Sequence, residues 1–366
     1  MNLKVENLIF AYLVVCVSMI GFNIFCIFRF RRNDRLLTKR SGDYVEIIRS
    51  EAEKELVSDE HKRFLMKKLI RVSGLMAFER SLDILRRDNT ISLERYLSQL
   101  IPVFSQLTLE YCRKNELQAA YFPYLISEYH LLKGEDNKKV KRALFELLKS
   151  SSIYSRENAL GAFYSIGNST NVADALRIID RSGYYHHKKL ITDGLMSFQG
   201  DKTELNRILW ERLSDYSLEM QTAILDYIRF STGDFLEEMM ELFSEKYDRE
   251  INFCAIRYFG KYRYEPAYEH IIKYVEQENK GLWEYTAIAC LAISNYPTER
   301  SINALKANLN SPIWYVRYNA SQSLENMGLE YVDMIDVFES KDRYAGEMMR
   351  YRFDQKKIRE TEAVKS

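Results

Sequence analysis

One pattern recurs along this chain at a nearly fixed interval. Ala159, Ile191, Ala223, Ala255, Ala287 and Ala320 follow one another at steps of 32 or 33 residues. Four positions beyond each stands a larger apolar residue: Phe163, Leu195, Tyr227, Phe259, Leu291 and Leu324. A small residue and a large one at i and i+4 share one helix face, where the small one admits a neighbouring helix and the large one fills the space beside it. A second series opens another helical pattern at almost the same spacing: Asn171-Val172, Thr203-Glu204, Gly233-Asp234, Glu265-Pro266, Pro297-Thr298 and Leu329-Glu330. Each unit therefore holds two helices, which cannot bury both faces alone but can do so in stacked copies. The scarcity of glycine (14) and proline (5) excludes most turn-rich β architectures. The expected fold class is all-α: an α-solenoid of two-helix repeats preceded by one N-terminal transmembrane helix.

The stretch SPIWYVRYNASQSL, Ser311 to Leu324, illustrates one unit. Ser311 is read as an N-cap and Pro312 as the first helical residue. Trp314 and Val316 are assigned to the core, as is Trp283 one repeat earlier. Thr203, Ser217 and Thr298 are read as further N-caps. The segment resembles HEAT repeats, in particular the short kind shared with phycobilisome-lyase-like proteins: a turn, Val316-Arg317, alanines, then Gly328. SSIYSRENALGAFYSIG, from Ser151, is similar at Arg156, Ala159 and Gly167. The resemblance covers about half the chain, and it implies that the arginine braces the turn. Met220, Asn252 and Glu284 depart from it at that position.

Residues 7–29 are read as the membrane anchor, 30–42 as a basic juxtamembrane linker and 43–150 as a helical capping region of degenerate repeats. Residues 151–341 form the repeat array and 342–366 a charged tail, either a solvated capping helix that frays or a docking peptide. Pro123 is expected to end or kink its helix.

Leu8 to Phe28 is a run of 21 residues without a charge. As a helix it reaches about 30 Å, one bilayer core. It ends in FRFRRNDR, which fits no signal-peptidase site. Lys4 and Glu6 balance before the run. After it come Arg29, Arg31, Arg32, Arg35, Lys39 and Arg40 against Asp34 alone. The positive-inside rule then puts the N-terminus outside and the rest in the cytoplasm of a cell membrane. Those six cations are the expected contacts to anionic headgroups.

Signals for chemistry are few. Net charge is +1, which does not suggest a nucleic-acid partner. No phosphate-binding loop, HExxH or CxxC occurs. The five cysteines are expected to be reduced thiols. His186 and His187 point about 100° apart on a helix, a poor metal pair and a better surface cap. Asp193 and Asp226 fall near the small-residue column and are expected to be partly buried, without forming an acid/base pair. The 26 tyrosines are assigned mainly to helical cores.

The reading is a non-enzymatic, single-pass, membrane-anchored scaffold or adaptor. It expects a membrane-associated protein partner, as within an envelope polysaccharide or secretion assembly, and no cofactor, metal, nucleic acid or small-molecule substrate. Specificity is assigned to residues beside the small–large columns: Tyr154, Glu157, Tyr185, Lys188, Glu219, Arg257, Tyr258, Glu284, Tyr315 and Tyr318. The alternative implied by the resemblance is a lyase-like HEAT-repeat enzyme, whose metal-binding His-Glu pairs do not recur here.

Overall fold

The structure, a computed structural model, describes residues 5–89, 91–244, 246–276, 282–340 and 342–365. Lys4, invoked for topology, and Ser366, the end of the tail, lie outside the described residues. All regular structure among those residues is helical. The chain divides into two compact units, residues 1–182 with 199–201, and residues 183–198 with 202–366.

The first unit holds α1 (Val5–Ala52), α2 (Asp59–Leu69), α3 (Val72–Asp88), α4 (Leu93–Ser98), α5 (Ile101–Tyr111), α6 (Glu116–Tyr129), α7 (Lys138–Leu147), α8 (Ile153–Ile166) and α9 (Ser169–Arg181). α1 has 48 residues, a rod of about 70 Å. It is long and apolar enough near its start to cross a membrane, and none of that apolar window is buried. The expected linker at 30–42 does not exist as a separate element, because the helix runs straight through it. Asp34 accepts a hydrogen bond from Arg80 of α3 at 2.9 Å, and Ser41, Tyr44, Val45 and Ile48 are buried. The last turns of α1, from Ser41 onward, are thus part of the unit's core.

Buried tyrosines tie the unit's helices together. Tyr111 donates to the Leu69 carbonyl at 2.7 Å, Tyr129 donates to Asp83 at 2.8 Å, and Tyr96 pairs with His61 at 2.7 Å. α6 packs along α8: Asn158 donates to the Ala120 carbonyl and Ser165 to the Ile126 carbonyl, both at 3.0 Å. No boundary falls at 150, because α8 closes onto the helices before it. Pro123 sits inside α6 without ending it. Burial of Phe122, Leu125 and Ile126 on either side offsets the lost N–H bond.

The second unit holds α10 (Lys188–Met196), α11 (Lys202–Glu211), α12 (Leu218–Ser231), α13 (Leu236–Glu241), α14 (Arg249–Phe259), α15 (Tyr268–Glu276), α16 (Trp283–Ala292), α17 (Glu299–Asn308), α18 (Trp314–Asn326), α19 (Ile335–Phe338) and α20 (Arg343–Lys365). Within it alternate helices pack on one another in sequence, α10 on α12, α12 on α14, α14 on α16, α16 on α18 and α18 on α20. The contact is close because small residues line it. A Cβ at Gly260 would stand 2.8 Å from the Ala292 Cα. Hydrogen bonds recur at a separation of 32 residues: Asn319 to the Ala287 carbonyl at 2.7 Å, Lys261 to the Arg229 carbonyl at 3.0 Å, and the Tyr264 N–H to the Tyr296 hydroxyl at 3.1 Å.

All six small-column residues are buried, and of the large ones only Leu291 is exposed. In that unit α16 ends at Ala292 in a 3-10 turn, and Ile293 and Tyr296 fill the core instead. Ser217 and Thr298 cap α12 and α17 as expected. Thr203 is not a cap but the second residue of α11. Ser311 and Pro312 precede their helix: α18 starts at Trp314, and Ser311 Oγ accepts from the Ile313 N–H at 3.2 Å. The tail from Asp342 becomes α20, which buries Ala345, Met349, Arg352 and Phe353.

Candidate functional site

α18 places Val316, Ala320 and Leu324 one helical turn apart, and all three are buried. Trp314, Tyr315 and Tyr318 cannot join them, since residues one and two positions away point to other faces. Trp314 and Tyr315 accordingly remain 54% and 58% exposed. This corrects the assignment of Trp314 to the core. Trp314 stacks on Tyr318 with ring centres 4.8 Å apart and meets Tyr315 edge-on at 5.2 Å. Trp283, half-buried on α16, stacks on Tyr315 at 6.0 Å. Behind them the buried Arg352 of α20 places its guanidinium 4.0 Å from the Tyr318 ring centre. The result is a rigid aromatic surface spanning two consecutive packed helices.

The base of α18 is fixed by Arg317. Its guanidinium donates to the Ser311 carbonyl and pairs with Asp342 at 3.0 Å. Arg156 does the same in the first unit, donating to the Ser150 and Ser151 carbonyls at 2.8 and 2.9 Å. At two of the three positions where arginine is missing, an amide on or beside the position makes a comparable bond. Asn252 donates to the Tyr247 and Asp248 carbonyls, and Gln221, next to the buried Met220, donates to Tyr216.

Beside the aromatic surface lies a cavity of about 590 Å³ whose walls include Trp283, Thr286, Arg300, Asn303, Asn308 and Val316. Arg300 is committed to two carboxylates, Glu276 at 2.7 Å and Glu269 at 3.0 Å. Its hydrogen bond holds the Glu276 carboxyl below the usual range, so that group is an ionised acceptor and a poor proton donor. Asn308 is used up by the Val275 and Ala304 carbonyls. These walls offer flat rings and neutral amides.

The residues expected to contact a partner divide as follows. Tyr315 and Tyr318 meet in the aromatic cluster. Glu284 lies next to Trp283 and pairs loosely with Arg249 at 3.8 Å. Arg257 is half-buried over the Phe253 ring. Lys188 binds Asp226 at 2.5 Å, with Arg229 on the other carboxylate oxygen at 3.1 Å. Tyr185 and Glu219 are exposed elsewhere in the second unit, and the exposed Tyr154 and half-buried Glu157 belong to the first. Tyr258 is wrong as a contact residue. It is fully buried, and its hydroxyl accepts the Phe235 N–H at 3.0 Å. Asp193 is exposed, contrary to expectation, while Asp226 is partly buried. His187 is a helix cap, accepting the Lys189 N–H at 3.2 Å. Among the described residues no cluster of histidine, cysteine and carboxylate side chains suits a metal.

Arg29, Arg31, Arg32, Arg35, Lys39 and Arg40 are all exposed on α1. At about 100° per residue they fall within one half of its circumference, with Asp34 on the other. A scan against protein-family models and a search of curated proteins return no match.

Proposed function

We propose that the chain is a membrane-anchored scaffold of HEAT-type repeats, an α-solenoid that docks a membrane-associated protein on its α16–α18 aromatic face. The observation that carries this reading is the aromatic cluster. Trp283, Trp314, Tyr315 and Tyr318 are locked by stacking and by Arg352, yet two of them are largely uncovered. Rigid aromatic side chains lose little entropy on binding and dominate protein interfaces. The equivalent turn-bracing bonds of Arg156, Gln221, Asn252 and Arg317 support the repeat assignment, as do the recurring bonds one repeat apart. The apolar start of α1, with the cations that follow, supports a single-pass anchor whose C-terminal side is cytoplasmic. Confinement to the membrane plane raises the effective concentration of a partner held there too. An envelope polysaccharide or secretion assembly is a setting of that kind.

The test is photo-crosslinking from position 284, beside Trp283 and outside the substituted pair, in intact cells, followed by identification of the captured protein. W314A with Y315A should abolish capture while leaving the melting temperature unchanged. Capture that survives the double variant would refute the docking face. Digestion of the bulk of the chain by protease added outside whole cells would refute the topology.

A further inference from the structure

In the first unit, the end of α2, the start of α3 and the distal part of α1 enclose a cavity of about 310 Å³. This is the small end of the range for ligand sites. Three cations stand around it, Arg40 of α1, Lys68 of α2 and Arg71 just before α3. None forms an ion pair among the described residues. Asp43, exposed at the rim, is the one carboxylate in the lining among the described residues, so the walls are net positive.

The floor is Tyr44. Its side chain is 7% exposed, its ring is fixed edge-on between Phe64 and Phe78, and its hydroxyl makes no hydrogen bond among the described residues. Arg71, in the cap position of α3, gives that helix no side-chain cap; its carbonyl instead accepts the Gly74 N–H at 2.9 Å, which holds the first turn of α3 against the cavity. Gly74 makes the close approach possible. A Cβ there would lie 2.2 Å from the Lys68 carbonyl oxygen and 3.7 Å from the Tyr44 hydroxyl. Three cations outside any ion pair and the unpartnered hydroxyl of Tyr44 outweigh the Asp43 carboxylate at the rim, so the small space is net positive and rich in hydrogen-bond donors. That is the recognition chemistry of a tetrahedral oxyanion.

We infer that this cavity binds a phosphate group through Arg40, Lys68, Arg71 and the Tyr44 hydroxyl. The inference stands on the first unit alone and is independent of partner docking in the second. Two sources carry the group. Arg40 is 12 residues beyond Phe28, about 18 Å along α1. That is past the headgroup layer of an upright anchor, within reach of a soluble phosphorylated molecule, and near enough for a headgroup bearing its own phosphate extension.

The experiment uses the full chain in a neutral detergent, titrated with inorganic phosphate against sodium chloride of matched ionic strength. Melting temperature and phosphorus-31 line width are followed. Phosphate should raise the melting temperature saturably, and chloride should not. K68Q with R71Q should raise the half-saturating concentration at least tenfold, and Y44F several-fold. R35Q, a cation outside the cavity, should leave it unchanged. All of the charged positions are exposed, so circular dichroism without phosphate should match the parent. Equal effects of phosphate and chloride, or half-saturation unmoved in K68Q/R71Q, would overturn the assignment. Nanodiscs then separate the sources. Loss of the phosphate response in phosphatidic acid discs but not in phosphatidylcholine discs marks a lipid occupant, and an equal response in both marks a soluble one.

Discussion

Alanine at two glycines should have opposite effects, and the contrast tests the close packing of the second unit. Gly260 has ordinary negative φ, so alanine there meets no backbone penalty. Its Cβ would however stand 2.8 Å from the Ala292 Cα and 3.0 Å from the Ala292 Cβ. Carbon atoms prefer about 3.5–4.0 Å, so α14 and α16 must separate by somewhat under an ångström. Overpacking of this kind costs about 1–3 kcal/mol, offset by about 0.4–1 kcal/mol from the stiffer unfolded chain. G260A should therefore destabilise by about 1–2 kcal/mol. For a unit of this size that lowers the melting temperature by about 2–4 °C per kcal/mol. Gly42 lies within α1 with nothing inside 4 Å of its would-be Cβ. G42A should gain about 0.5–1 kcal/mol from helix propensity. Differential scanning calorimetry of both full-length variants in detergent provides the measurement. A G260A transition at or above that of the parent would show that the two helices are not in the contact described.

Y258F removes the acceptor that the Phe235 N–H has among the described residues and should cost about 1–3 kcal/mol while leaving partner capture intact at permissive temperature; loss of capture with unchanged melting would return Tyr258 to the surface. Burial holds the Glu79 carboxyl above its usual range despite the hydrogen bond donated by Tyr121. With the folded pKa above the unfolded one, this site's stabilisation is complete below the unfolded value and is lost as pH rises through the folded value. E79Q, which keeps an acceptor for Tyr121, should melt higher than the parent at neutral pH, and the difference should close near the ordinary carboxyl pKa of about 4.3; melting curves across that interval decide the sign. Burial pushes the Cys112 thiol up to about 12 and Cys254 up to about 11, and raises Cys290 as well. All three should resist maleimide at pH 8 in the folded chain and react after denaturation, as mass spectrometry would record.

The sequence by itself determined the helical class, the 32- or 33-residue interval at which buried column residues recur, the apolar face of each column helix and the segment long enough to cross a bilayer. These follow from the order of apolar and small residues along one chain, which fixes local geometry and which face seeks cover. It missed the helix start at Trp314, because the pair Ser311-Pro312 satisfies the rules for a cap without deciding where the first i→i−4 bond closes. It misplaced Trp314 and Tyr258 in opposite directions. Both are large aromatics near a column, and only the neighbouring helix decides which one is covered: α16 leaves Trp314 open, whereas the turn before α13 takes the Tyr258 hydroxyl as its acceptor. The cavity of Arg40, Tyr44, Lys68 and Arg71 was likewise invisible, since its residues come from two helices and the turn before a third, and no local pattern joins them. Short-range periodicity encodes which faces are apolar, while the packing of segments distant in sequence decides what each face touches, and the candidate sites depend on that second, non-local step.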